Sequence, residues 1–110
     1  MSDFFDSDIV RKELQEINDL QLSIYKNAMK FGTFRREDKV DHIERLTELL
    51  ERQKVMYTRI SLSDDPEAID LKIHLQKSVE LMGFPEGTDM ALLFSGMSNT
   101  IDNMRTQLDT

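Results

Sequence analysis

The sequence predicts an all-α protein: a long antiparallel helical hairpin followed by two shorter C-terminal helices, bundle-like and completed by oligomerisation. Three observations carry that expectation. Apolar residues recur at alternating three- and four-residue steps through four successive segments, the spacing of one helix face. The segments open on short oxygen-bearing side chains or close beside glycines, the usual start and stop signals of helices. No stretch alternates apolar and polar residues at period two, so no strand pattern competes. With 110 residues, 39% hydrophobic and 32% charged, the chain has the length of one domain, expected over residues 1–110, and the balance of helices with one buried stripe.

The hairpin is expected over about residues 7–60. Asp6 in "FFDSDIV" is a candidate N-cap, with Phe5 before it and Val10 after it placed as a hydrophobic staple. Val10, Leu14, Ile17, Leu20, Ile24, Ala28 and Phe31 then form one face, and Gly32 is placed to end it in a left-handed conformation. The second helix should begin near Thr33 to Arg36, with Glu37 and Asp38 at its positive end. Its stripe runs through Val40, Ile43, Leu46, Leu50, Tyr57 and Ile60, widened by Leu49 and Met56 and interrupted at Gln53. Helices of this length reach roughly 36–39 Å, and a short turn between them forces an antiparallel arrangement.

The C-terminal helices are expected at about 65–83 and 89–108. The junction "SLSDDPEA" holds Ser63, Asp64, Asp65 and Pro66. Asp65 before Pro66 is a good helix start, and Asp64 with Glu67 offers a competing capping box. Leu62 is expected to turn inward. Ala68, Leu71, Leu75, Val79 and Met82 carry the third stripe, closed by Gly83, and Met90, Phe94, Met97, Ile101, Met104 and Leu108 carry the fourth. Gly96 inside that last helix suggests close backbone approach or local mobility. The last two helices reach only about 26 Å and 30 Å, less than the hairpin they must cover. Part of the hairpin stripe would stay open in a monomer, which favours a homo-oligomer, a dimer first, with the C-terminal helices folded back or swapped.

Several function classes are disfavoured by composition. Without cysteine there is no disulfide framework, thiolate metal site or thiol nucleophile. "MSDFFDSDIV" lacks the features of an export signal, and no apolar run approaches the roughly 20 residues that span a bilayer. A cytoplasmic protein with no membrane partner is the expectation. Net charge is −7, distributed as −2 over residues 1–30, +1 over residues 31–62 and −6 over residues 63–110. Nucleic acid is thereby a disfavoured partner, and a basic protein remains open.

The candidates for chemistry each have a plainer explanation. His42 follows Asp38 by four residues and His74 follows Asp70 by four. Neither pair supplies the three or four ligands of a tight metal site, so both read as helix-surface pairs. "EDKVDHIERLTELLERQK" alternates charge on the face opposite the stripe, as a solvated helix face with intrahelical pairs does. Ser61 and Ser63 beside acids suggest phosphorylation, but capping explains Ser63. No catalytic residue, cofactor or metal ligand is assigned. Met82, Met90, Phe94, Met97, Ile101 and Met104 form the candidate interaction face, since methionine suits adaptable partner surfaces, although such a stripe is also ordinary core.

"MSDFFDSDIV", "YKNAMKF", "YTRISLSDDPEA" and "GFPEGTDMALLFSGMSNTIDNM" together resemble a small domain-of-unknown-function family of cyanobacteria and cyanophages. The resemblance implies a small cytoplasmic helical protein, and it brings no activity, cofactor or catalytic residue. Related sequences favour serine at the position of Arg35, which implies that this chain lacks one cap there. The leading functional expectation is a non-enzymatic interaction or regulatory protein that binds a host protein. The alternatives are a nucleic-acid-associated factor using Arg35, Arg36, Lys39 and Arg45, and a metal-dependent enzyme using His42 and His74.

Overall fold

The computed structural model describes residues 3–108, and among these all regular structure is helical. A short α1 (Asp3–Asp6) leads into α2 (Asp8–Ala28), and a 3-10 turn at Phe31–Thr33 reverses the chain into α3 (Arg36–Leu62). α4 (Pro66–Leu81) and α5 (Met90–Leu108) follow. The all-α class and the long hairpin are as the periodicity predicts, and α1 is an addition that no pattern signalled.

Several helix ends differ from expectation for identifiable reasons. Ser7, not Asp6, caps α2, its Oγ accepting from the Val10 amide at 3.4 Å. Because α1 occupies Asp3–Asp6, it is Phe4 that packs on the cluster around Val10. Gly32 does not terminate α2 in a left-handed conformation; the positive-φ glycines are Gly83 (102°) and Gly87 (79°). The hairpin turn is held instead by backbone bonds, from the Thr33 amide to the Lys30 carbonyl at 2.9 Å and from the Phe34 amide to the Phe31 carbonyl at 3.1 Å, with Thr33 Oγ1 also donating to the Lys30 carbonyl at 2.8 Å. Arg35 occupies the cap of α3 and makes no side-chain cap bond, since a guanidinium has no acceptor. Half of a capping box survives, in which Asp38 accepts from the Arg35 amide at 3.3 Å.

α3 presents two faces. Met56 and Ile60 join Val10 and Ala68 in one buried cluster, with Leu14, Ile17, Leu71 and Leu75 against it. Ile43 and Leu50 join Ile101 in a second, lined by Phe94, Met104 and Leu108. At 3.6 residues per turn the two sets lie roughly 100° apart around α3. Gln53 and Leu46 project between them. The break in the apolar stripe at Gln53 therefore falls at the cleft between two neighbours, where a half-exposed polar residue is tolerated. α2 and α5 both run antiparallel to α3, as the contacts Arg59–Glu13 and Arg45–Ser23 on one side and Tyr57–Phe94 and Thr47–Arg105 on the other require.

Asp65 ties the far end together. Its Oδ1 accepts from the Glu67 amide at 2.9 Å, capping α4, while Oδ2 accepts from the Phe4 amide at 3.0 Å. Ser63 Oγ accepts from the Asp65 amide at 3.1 Å, and Pro66 takes the first helical position. The competing box starting at Asp64 does not form. Leu62 is exposed rather than turned inward, because the chain turns away at Ser63 and Ala68, fully buried, covers Met56 and Ile60 instead.

The connector after α4 folds back on that helix. Gly83 donates to the Glu80 carbonyl, Gly87 donates to Glu80 Oε1 at 3.1 Å, and Gln76 Nε2 donates to the Thr88 carbonyl at 2.9 Å. Asp89 opens α5, its Oδ1 accepting from the Ala91 amide at 2.9 Å. The radius of gyration is 16.0 Å, against about 13 Å for a compact chain of this length, and the extents are 49 × 33 × 19 Å. The molecule is a long, thin slab.

Replacing Asp65 by alanine removes a cap and a bond to α1 at once, and is expected to lower stability by about 2 kcal/mol. Asp64→Ala is expected to change it by less than about 0.5 kcal/mol. Urea midpoints of the two variants check the difference.

Candidate interaction surface

The six residues expected to form one apolar face occupy two environments. Met90 and Ile101 are 7% and 8% exposed. Phe94 packs edge-on against Tyr57 at 5.8 Å, and both Phe94 and Met104 lie on the cluster around Ile43 and Leu50. Met82 and Met97, by contrast, are 66% and 39% exposed. Heptad spacing placed all six together, whereas a helix packed on one neighbour covers only part of so wide a stripe. The side chains left uncovered turn away from α3.

Met82 and Met97 border an open apolar groove between the α4–α5 connector and α5. Phe84, Pro85, Leu92 and Leu93 line it with them, and Gly96 forms part of its wall. Phe84 and Leu92 in this lining are exposed. No heavy atom outside the glycine's own neighbourhood lies within 4 Å of where a Gly96 Cβ would sit. Gly96 thus makes no close backbone approach, and its missing side chain leaves the groove open. The connector that forms the opposite wall depends on Gly83, whose φ of 102° other residues rarely adopt.

The charged residues behave differently from a solvated face with intrahelical pairs alone. Such pairs occur, as in Arg52–Glu48 at 2.9 Å and Arg45–Asp41 at 3.1 Å. The same arginines also reach across to α2. Arg59 grips Glu13 through two contacts, Nε to Oε2 at 2.9 Å and Nη2 to Oε1 at 3.1 Å. Arg52 pairs with Glu16, and Arg45 Nη1 donates to Ser23 Oγ at 2.8 Å. Hydrogen bonds that Arg52 donates to Glu48 and to Glu16 raise its pKa further above the ordinary value. Spaced seven residues apart, Arg45, Arg52 and Arg59 form a ladder down the hairpin. That interval was the sequence signal for it, and acids on both helices concealed it. Exposed pairs of this kind contribute little stability each but do fix register.

Of the four bases at the start of α3, Arg45 is committed to that ladder, and Lys39 Nζ sits 5.6 Å from the centre of the Phe31 ring. Arg35 is exposed at the cap. Among the described residues no group of three or more His, Asp or Glu is placed to hold a metal ion, and no helix is long and apolar enough to cross a membrane.

With this geometry in view, comparison with family models gives one assignment: a match over residues 2–108 to a domain of unknown function (DUF1825). The chain belongs to that family. Comparison with the curated proteins and with the solved structures returns no match. The family description carries no activity, so the functional reading rests on the surface itself.

The two histidines lie on different elements. His74, exposed on α4, stands 3.7 Å from Asp70 Oδ2, the surface pair its spacing predicts. His42 is not such a pair. It is 6% exposed, with the Phe31 and Phe34 rings at 5.3 Å and 6.1 Å, and its Nδ1 has no hydrogen-bond partner. Asp38, four residues earlier, is engaged instead at the start of α3. Burial, then the Arg45 charge, push the His42 pKa below its ordinary value, with Asp41 opposing. Above about pH 6.5 the ring is neutral in both folded and unfolded chains, and stability is at its full value. As pH falls below that point the unfolded chain takes up the proton first, so stability declines. Tm is therefore expected to hold above about pH 6.5 and to fall as the pH drops below it, and the His42→Leu variant to lose most of that slope. Parallel profiles for the two proteins would show that His42 is not the source of the pH dependence.

Proposed function

We propose that this chain is a non-enzymatic interaction module whose working contact is the apolar groove between the α4–α5 connector and α5. The observation that carries the reading is the exposure, in one place, of Met82, Phe84, Leu92 and Met97. Exposed apolar patches of this extent mark association surfaces. Methionine at two of the positions gives side chains that can re-pack against a partner. The elongated shape supports the same reading, since thin slabs gain buried area by pairing.

The partner is a protein surface with apolar residues and basic neighbours, because Glu80, Glu86 and Asp89 flank the groove in sequence. Self-association into a dimer belongs to this proposal, and so does regulation of a host protein in a cyanobacterial or cyanophage setting. A non-enzymatic role fits the side chains: His42 is enclosed by aromatic rings, and His74 stands exposed on another helix.

The test is sedimentation equilibrium of the full chain at tens of micromolar, beside the Leu92→Asp/Met97→Asp variant. The wild type should associate. The variant should remain monomeric with unchanged helical circular dichroism, because both positions face solvent. A variant that associates as well as the wild type would contradict the proposal.

A further inference from the structure

A second apolar surface is left open at the other end of the slab. Leu22, Tyr25 and Met29 on and just beyond α2 follow one another at three- and four-residue steps, so they share one face. All three are exposed, Tyr25 at 73% and Met29 at 88%. They lie beside the N-terminal half of α3, where Ser23 meets Arg45. The groove lies beside its C-terminal half, where Phe94 meets Tyr57. Those two levels are separated along α3 by roughly 18 Å. The row and the groove of one molecule therefore sit at different levels of the slab.

Their charges are complementary. The row is accompanied by Lys26 and Lys30 against one acid, Asp19, while residues 78–104 contain Glu80, Glu86, Asp89 and Asp102 and no base. The lysines follow the apolar row, and Glu80, Glu86 and Asp89 flank the groove. Opposite potentials on matching apolar surfaces select a partner and its orientation. The complement that the groove requires is thus present on this chain itself.

We propose that each groove is filled by the Leu22–Tyr25–Met29 row of a second copy, in a closed two-fold antiparallel dimer. This rests on the reading of the groove as a docking surface and names its occupant. A two-fold axis across the slab brings the row of each copy to the groove of the other, so both contacts form together. No further copy can add, because both surfaces are then covered. The open space at Gly96 admits a side chain of the row.

Two variants of the full chain test the pairing: Leu22→Asp/Met29→Asp, which disables the row, and Leu92→Asp/Met97→Asp, which disables the groove. Sedimentation equilibrium should show a wild-type dimer and, for each variant alone, association weakened by about a hundredfold or more. An equimolar mixture should regain association, since an intact row then meets an intact groove once per pair. Lys26→Glu/Lys30→Glu provides a milder second probe that leaves the apolar surface intact, and it should weaken the dimer about tenfold. If the groove variant dissociates while the row variant dimerises normally, this inference falls and the docking role of the groove stands. If both variants dissociate but their mixture does not associate, the row and groove do not meet and the inference is likewise overturned. A wild type that stays monomeric overturns it together with self-association.

Discussion

The structure depends on one constraint: α3 must be covered along two lines roughly 100° apart by helices that pack on it from different sides. Ile43 and Leu50 define one line and Met56 and Ile60 the other. α2 and α4 meet the second and α5 meets the first. A helix buried over so wide an arc gains far more than an amphipathic helix with one stripe, and it makes each neighbour's stability conditional on its own. The remaining helices are amphipathic coverings of this element.

The slab shape follows. Because α2 and α5 lie on separate faces of α3, each keeps an outward side with no intramolecular cover, and apolar residues on those sides remain exposed. α4 is too short to compensate. Its start is held at the corner by Asp65, which caps the helix and binds the Phe4 amide with the same carboxylate. That double role gives the "SDDP" junction a physical meaning beyond a turn: it fixes where the C-terminal half begins relative to the N-terminus. The connector after α4, tied down through Glu80 and Gln76, then sets one wall of the groove.

The helices were legible in the sequence because a buried stripe imposes a period, and Asp65–Pro66 and Gly83 were legible because their backbone roles are local. What the sequence left hidden depends on the third dimension. Met90 and Met97 share the same heptad-like spacing, yet one is buried and the other open, since spacing along one helix does not say how wide an arc its neighbour covers. His42 sits among Phe31 and Phe34 only once the hairpin turn closes, so the acid four residues before it suggested a surface pair. Leu62 looked like core because it ends an apolar run, but the chain leaves α3 at that point. The arginine ladder was concealed because Arg52 has an acid within its own helix as well as one across the hairpin, and sequence cannot rank the two. α1 is a single turn, too short for periodicity to register.

α3 is thus the shared support of two partly independent clusters. Native-state hydrogen exchange across a series of sub-denaturing urea concentrations tests that role most directly, because that measurement resolves the opening of separate units. Amides of α3 between Ile43 and Ile60 should exchange slowest, with α4 and α5 each opening at lower free energy and in distinct steps. Amides of α5 as slow as those of α3, opening with them in one step, or an α3 less protected than its neighbours, would contradict that role.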